Sequence, residues 1–212
     1  MFEKDSYLLE TNKHKEEYMR TFPLSKGFAI DGPNDSDAWS KADKRILFML
    51  KETYGVKGDI CQCMDSLEYN KSNFYSNKTN QNIAKLAYGI MTGKPSAGLS
   101  SKKLSPFYSS SSTIEIKKST GKKKSNDKEI LKHALFSEEF IKWQIDKLNP
   151  DIIICCGSIV HSFLVNNIYS TKVTDDITKI GDIVIIKSKH PSAPGYKVDN
   201  VVSDIKKFLM NN

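Results

Sequence analysis

The chain has 212 residues, 39% hydrophobic and 27% charged, with a formal net charge of +7 and a pI near 9.0. That length suits one domain with a sizeable core, taken here as residues 1–212 with 1–30 as an N-terminal extension, and the composition excludes a disordered chain. No apolar run approaches the roughly 20 residues a bilayer span needs, and Met1-Phe2-Glu3-Lys4-Asp5 lacks the basic start and apolar core of a secretion signal, so a cytoplasmic protein without membrane contact is expected.

Residues 1 to 20 form a polar, weakly amphipathic pattern that predicts a helix with Tyr7, Leu8 and Tyr18 as its contacts. A loop, Phe22 to Gly27, leads to a short extended piece, Phe28 to Pro33, ending in a turn. Ile46 to Leu50 is a continuous apolar run of strand length, as expected of a strand buried on both faces of a parallel sheet. It is followed at once by Lys51, Glu52, Thr53, Tyr54 and Gly55. The carboxyl ends of strands in open α/β sheets are where ligands bind, so Glu52 stands where chemistry is usually done.

The segment to about residue 78 has no clear period and carries Tyr69, Phe74 and Tyr75. Ile83, Leu86, Ala87, Ile90 and Met91 follow helical spacing, stopped by Gly93 and Pro95. Residues 95–112, rich in serine with two prolines, predict a surface loop, and Thr113 to Lys118 alternate like a short strand. Lys117 to Asn126 hold five lysines and no acid, a pattern of a mobile basic loop suited to gripping phosphates. Asn126 with Glu129 is an N-terminal capping signature for a helical stretch that ends before Pro150. Asp151 to Cys156 is the most apolar segment, a central strand, left through Gly157 and Ser158 into a helix that carries His161. A further strand, Asp182 to Lys187, precedes Ser188-Lys189-His190-Pro191-Ser192. The final helix holds Val198, Val201, Val202, Ile205, Phe208 and Leu209 on one face.

Strands alternating with helices predict a three-layer α/β/α sandwich with a central parallel four-stranded sheet. Cys61, Cys63 and the strand pair Cys155 and Cys156 match no zinc or iron–sulfur spacing, and neither metal nor cofactor is expected. The cations are nearly all lysine, with arginine only at Arg20 and Arg45. Lysine suits phosphate as a point charge, so a polyanionic partner would be held by its backbone.

Four strands thus lead in order to Lys51–Gly55, to Glu115 with Lys117 and Lys118, to Gly157–Ser158, and to His190–Ser192. In this order the segments Ile46–Gly55, Asn149–Ser158 and His190–Ser192 resemble the uracil-DNA glycosylase superfamily, over a span from about Asp31 to the C-terminus. The resemblance implies a single domain of that fold. It implies a monomeric DNA glycosylase-like hydrolase that cleaves the N-glycosidic bond of an extruded damaged or unusual base, uracil or a related one. Glu52 would stabilise the sugar cation and orient water, and His190 would donate to the departing base. Lys51, Tyr54, Gly55, Phe74 and Glu115 would form the base pocket, with Tyr54 as a wall. Lys117, Lys118, Lys122, Lys123, Lys124, Gly157, Ser158, Ser192 and Tyr196 would meet the DNA.

Departures from the pattern carry information. Well-known members have Gln-Asp-Pro-Tyr-His where this chain has Lys51 to Gly55, so a longer carboxylate replaces aspartate. Their base-reading asparagine corresponds loosely to Glu115, which when ionised only accepts hydrogen bonds and so suits a base with an exocyclic amine. Tyr196 is the large side chain left to fill a vacated stack. A non-catalytic member of the same fold that binds nucleic acid or a nucleotide is the alternative reading.

Overall fold

A computed structural model of the chain describes residues 2–53, 60 and 61, 77–121, 125–173 and 175–211. The elements in chain order are α1 (Lys4–Thr21), β1 (Ala29–Ile30), β2 (Gly32–Pro33), α2 (Ser36–Ser40), β3 (Ile46–Leu50), β4 (Ile60–Cys61), α3 (Lys78–Thr92), α4 (Ser101–Ser109), β5 (Ser111–Glu115), α5 (Asp127–Phe136) and α6 (Glu138–Leu148). They continue with β6 (Ile152–Cys156), α7 (Ser158–Phe163, extended by a π-turn over Leu164–Ile168), β7 (Ile177–Ile180), β8 (Ile183–Ser188) and α8 (Val198–Asn211).

The fold is mixed α/β around a mostly parallel open sheet. The six-stranded sheet runs β2-β5-β3-β6-β8-β7. Its middle strands β5, β3, β6 and β8 are all parallel, and the edge strands β2 and β7 are antiparallel to their neighbours. The expected four-stranded sheet is therefore extended by one strand on each side.

Alternation along each middle strand divides the core. Leu47, Met49, Ile153, Cys155 and Ile185 face α1, α2, α5, α6 and α7, whereas Ile46, Phe48, Ile152, Ile154 and Ile186 face α3, α4 and α8. Each such side chain is at most 2% exposed, and full burial of one contributes about 1.5–3 kcal/mol. Both faces are covered, which is why the strands are apolar without a break.

Three local expectations need correction. Residues 95–112 include the helix α4, because Leu104 and Tyr108, one turn apart, bury against the sheet-covering helix α3. Pro106 cannot donate to the Lys102 carbonyl from within α4, and the Ser105 hydroxyl donates to that oxygen instead, at 3.4 Å. The helical stretch after Asn126 is two helices, broken at Ser137, whose N–H turns back to the His133 and Ala134 carbonyls. The strand expected over Thr113–Lys118 begins earlier, at Ser111, and ends at Glu115. Ile116 and Lys117 still donate backbone bonds to the Leu50 and Lys51 carbonyls, at 2.9 Å each.

Candidate functional site

Because β5, β3, β6 and β8 run parallel, the residues that follow them leave the sheet at one edge. Glu115 closes β5 and pairs in register with Leu50 of β3, two residues before Glu52. Gly157 follows β6, and His190 follows β8. Tyr54, Gly55, Phe74, Lys122, Lys123 and Lys124 lie outside the described residues.

Glu52 is enclosed. Its side chain is 5% exposed, and its Oε2 accepts from the Lys117 ammonium at 2.8 Å. Among the described residues its Oε1 has no hydrogen-bond partner. Lys117 also donates to Glu129 on α5 at 2.8 Å, so two carboxylates share one ammonium and the trio keeps one net negative charge. Burial alone would push the Lys117 pKa down, but the bonds from Glu129 and Glu52 outweigh it and hold the pKa above the ordinary lysine value. Gly121 lies against Glu52 and is joined to Thr53 by a 2.7 Å backbone bond. A Cβ at Gly121 would overlap the Glu52 carboxyl carbon.

Lys51 also reaches α5. Its ammonium is 2.9 Å from Asp127 at the start of α5, and its stem passes so close to Gly157 that a Cβ there would sit 3.3 Å from the Lys51 Cε. Gly157 has φ 132°, a conformation that favours glycine, and its N–H donates to the Ser188 carbonyl at 2.8 Å. Ser158 beside it is exposed.

His190 sits on a braced loop. Asn82 of α3 donates to the Pro191 carbonyl at 2.6 Å, and the Ala193 N–H returns to the His190 carbonyl at 2.9 Å. The Ser192 N–H donates to His190 Nδ1 at 3.2 Å, so the neutral ring carries its proton on Nε2. Burial, and secondarily the Lys51 charge, lower the His190 pKa and keep the ring neutral at pH 7. Glu115 is 2% exposed, with the Thr53 hydroxyl 3.5 Å from its Oε1 and its own N–H on Asp31 Oδ2 at 2.6 Å.

Several expected DNA contacts are corrected. Lys117 and Lys118 are not on a mobile loop. Lys117 is committed to Glu52 and Glu129, and Lys118 is fully buried, bonded to both Asp31 oxygens at 2.9 and 2.8 Å and to Gln144 at 2.7 Å. A buried lysine remains charged only beside such partners, so neither is available to a phosphate. Tyr196 does not project. Its ring packs on the core beneath α8, and its hydroxyl bonds Ser188 at 3.0 Å, with burial pushing its pKa up to about 12. His161 is buried on α7, in accord with a packing role.

Glu129, Asp127 and Gly121 belong to this edge although motif reading passes over them. Asn126 does cap α5, accepting from the Lys128 and Glu129 N–H groups, but the Glu129 carboxylate also reaches Lys117. The spacing of Asn126 and Glu129 marks a helix start and says nothing of a lysine across the sheet.

No protein-family model matches the chain, and no curated protein matches it. Among the described residues, no helix is long and apolar enough to cross a membrane, and no group of three or more His, Cys, Asp and Glu side chains could hold a metal ion.

Proposed function

We propose that this chain is a DNA glycosylase-like hydrolase of the uracil-DNA glycosylase type, cleaving the N-glycosidic bond of an extruded damaged or unusual base. The observation that carries the reading is the shared edge: Glu52 and His190 follow parallel strands of one sheet. Glycosidic cleavage builds positive charge on the sugar and negative charge on the base. The net negative trio around Lys117 suits the first demand, and the neutral Nε2–H of His190 suits the second. Glu52 would act chiefly through its negative charge. The base has to leave the helix stack to reach such an edge.

The enclosure of Glu52 beneath Gly121 favours a second reading, binding of nucleic acid or a nucleotide without cleavage. Incubation with oligonucleotides carrying assorted modified bases, followed by alkali cleavage at abasic sites, separates the two. Strand scission for at least one base supports the hydrolase. Retention of every base, together with measurable DNA binding, supports the binding protein.

A further inference from the structure

The strand β7 closes one side of the six-stranded sheet and pairs with β8 alone. Its register runs from Ile177 opposite Ile186 to Ile180 opposite Ile183, and the Lys187 N–H donates to the Asp176 carbonyl at 2.7 Å. Hydrogen-bonded and non-bonded pairs alternate along an antiparallel ladder, so Asp176, Thr178 and Ile180 are the residues bonded to β8. The N–H and C=O groups of Ile177 and Lys179 therefore turn away from the sheet, and they take no hydrogen bond among the described residues. Such a row is a template for a further strand.

The side chains select the strand. Ile177 packs on the core beneath α8 and Ile180 on the opposite core, each only partly buried. Lys179 is exposed on the Ile177 face, and Asp175, also exposed, falls on that face by alternation. Asp176, on the other face, pairs with Lys187 at 3.1 Å while its side chain stays 74% exposed. A second copy of β7 could pair antiparallel about a two-fold axis centred on any of its four residues. Centring on Lys179 sets two lysines opposite one another, whereas Thr178 and Ile180 as centres set Lys179 against Ile177 and Gly181. Centring on Ile177 sets that residue against itself, each Lys179 against an Asp175, and each Asp176 against a Thr178 hydroxyl. This register alone joins opposite charges. A lysine ordinarily guards an edge strand against pairing, and opposite Asp175 the same charge becomes an attraction.

We infer that β7 is a self-association edge, through which two copies of this chain pair antiparallel about a two-fold at Ile177. Six strands from each copy then form one continuous sheet. Four residues offer a small contact, so the dimer is weak and reversible, in contrast to the monomer that the family resemblance implies. The axis stands perpendicular to the sheet, which sends the carboxyl edges of the two copies to opposite ends and leaves each open. The inference is therefore independent of base cleavage.

The test is sedimentation of the full chain at concentrations up to about 1 mM, the weak end of specific association. The average mass is expected to rise from 24.0 kDa toward twice that value. Lys179→Glu should weaken association by about 2- to 30-fold, because two symmetry-related pairs change sign, and adding Asp175→Lys should restore it. Lys179→Pro removes an outward N–H and none that serves β8, so it should abolish association with the circular dichroism of the fold intact. Cysteine cross-linking reads the register: Ile177→Cys should form a disulfide-linked dimer faster than Thr178→Cys or Lys179→Cys, since position 177 alone meets itself. A mass of 24.0 kDa throughout, with no faster cross-link at position 177, overturns the inference. Association that survives Lys179→Pro, or that the Asp175 and Lys179 exchange fails to restore, overturns it too. Base release by a chain that never associates would remove this inference alone, and association without base release would remove the hydrolase reading alone.

Discussion

Lys117 is the residue on which the site edge depends. It bonds the enclosed Glu52 carboxylate and the partly exposed Glu129, so Lys117→Met removes the ammonium that Glu52 faces in a nearly dry setting. The expected loss is about 3–5 kcal/mol of stability, measured by urea unfolding. Gly121→Ala acts on the same group from above, because the new methyl must displace either the Glu52 carboxyl or the strand-like segment that covers it. A cost of about 1–3 kcal/mol is expected, together with a changed environment at Glu52. These residues also mark what could be read in advance. Glu52, Gly157 and His190 were legible because each comes within four residues after an apolar run, and chain order alone puts such positions near a strand end. The burial of Lys117 and Lys118 was not legible, because their acidic partners stand 65, 12 and 87 residues away. A run of lysines read along the chain contains no trace of them.

At the scale of elements, α1 is the part whose role the sequence understated. Its hydrophobic pattern is weak because its anchors are amphipathic, and Tyr7 and Tyr18 are buried through polar tips. The Tyr7 hydroxyl donates to the Asp31 carbonyl at 3.0 Å. The Tyr18 hydroxyl lies 3.0 Å from Ser119 Oγ and 2.6 Å from His133 Nδ1. Residues 1–30 are thus tied into the core rather than appended to it. His14 stacks on Phe140 with centroids 4.2 Å apart. Burial, with help from Lys118 at His14 and Lys117 at His133, lowers both histidines to about 4 from 6.5. Between those values the unfolded chain binds a proton at each position and the folded chain does not. Stability is therefore full above about pH 6.5 and falls as pH drops toward 4. Thermal unfolding from pH 7.5 to 4.5 should show this decline, and the double variant His14→Gln, His133→Gln should flatten it. A decline of the same slope in that variant would assign the acid sensitivity elsewhere.

For the whole molecule, the two covered faces follow from strands that are apolar on both sides, a pattern legible in Ile46–Leu50 and Ile152–Cys156, whereas the strand order has no such signal. The edge strands β2 and β7 were hidden, since two residues of Gly32–Pro33 and the half-exposed Ile177–Ile180 carry little periodic signal. The charge distribution changes more than the fold does. With Lys117 and Lys118 committed internally, any DNA affinity has to draw on other lysines, and Lys122, Lys123 and Lys124 are the nearest cluster in sequence. Replacing all three by alanine should reduce the slope of log affinity against log salt by up to about 2.7. An unchanged slope would exclude them from phosphate contact.

In the proposed reaction the carboxyl edge acts on bond cleavage through charge that develops in the transition state. Single-turnover base release by His190→Ala, on an oligonucleotide that the wild-type chain cleaves, tests it most directly when substrate affinity is measured alongside. A rate lower by about 100- to 1000-fold, the usual cost of one well-aimed donor, is expected with affinity nearly unchanged. A variant that cleaves at the wild-type rate, or one that loses affinity and rate in equal measure, would contradict it.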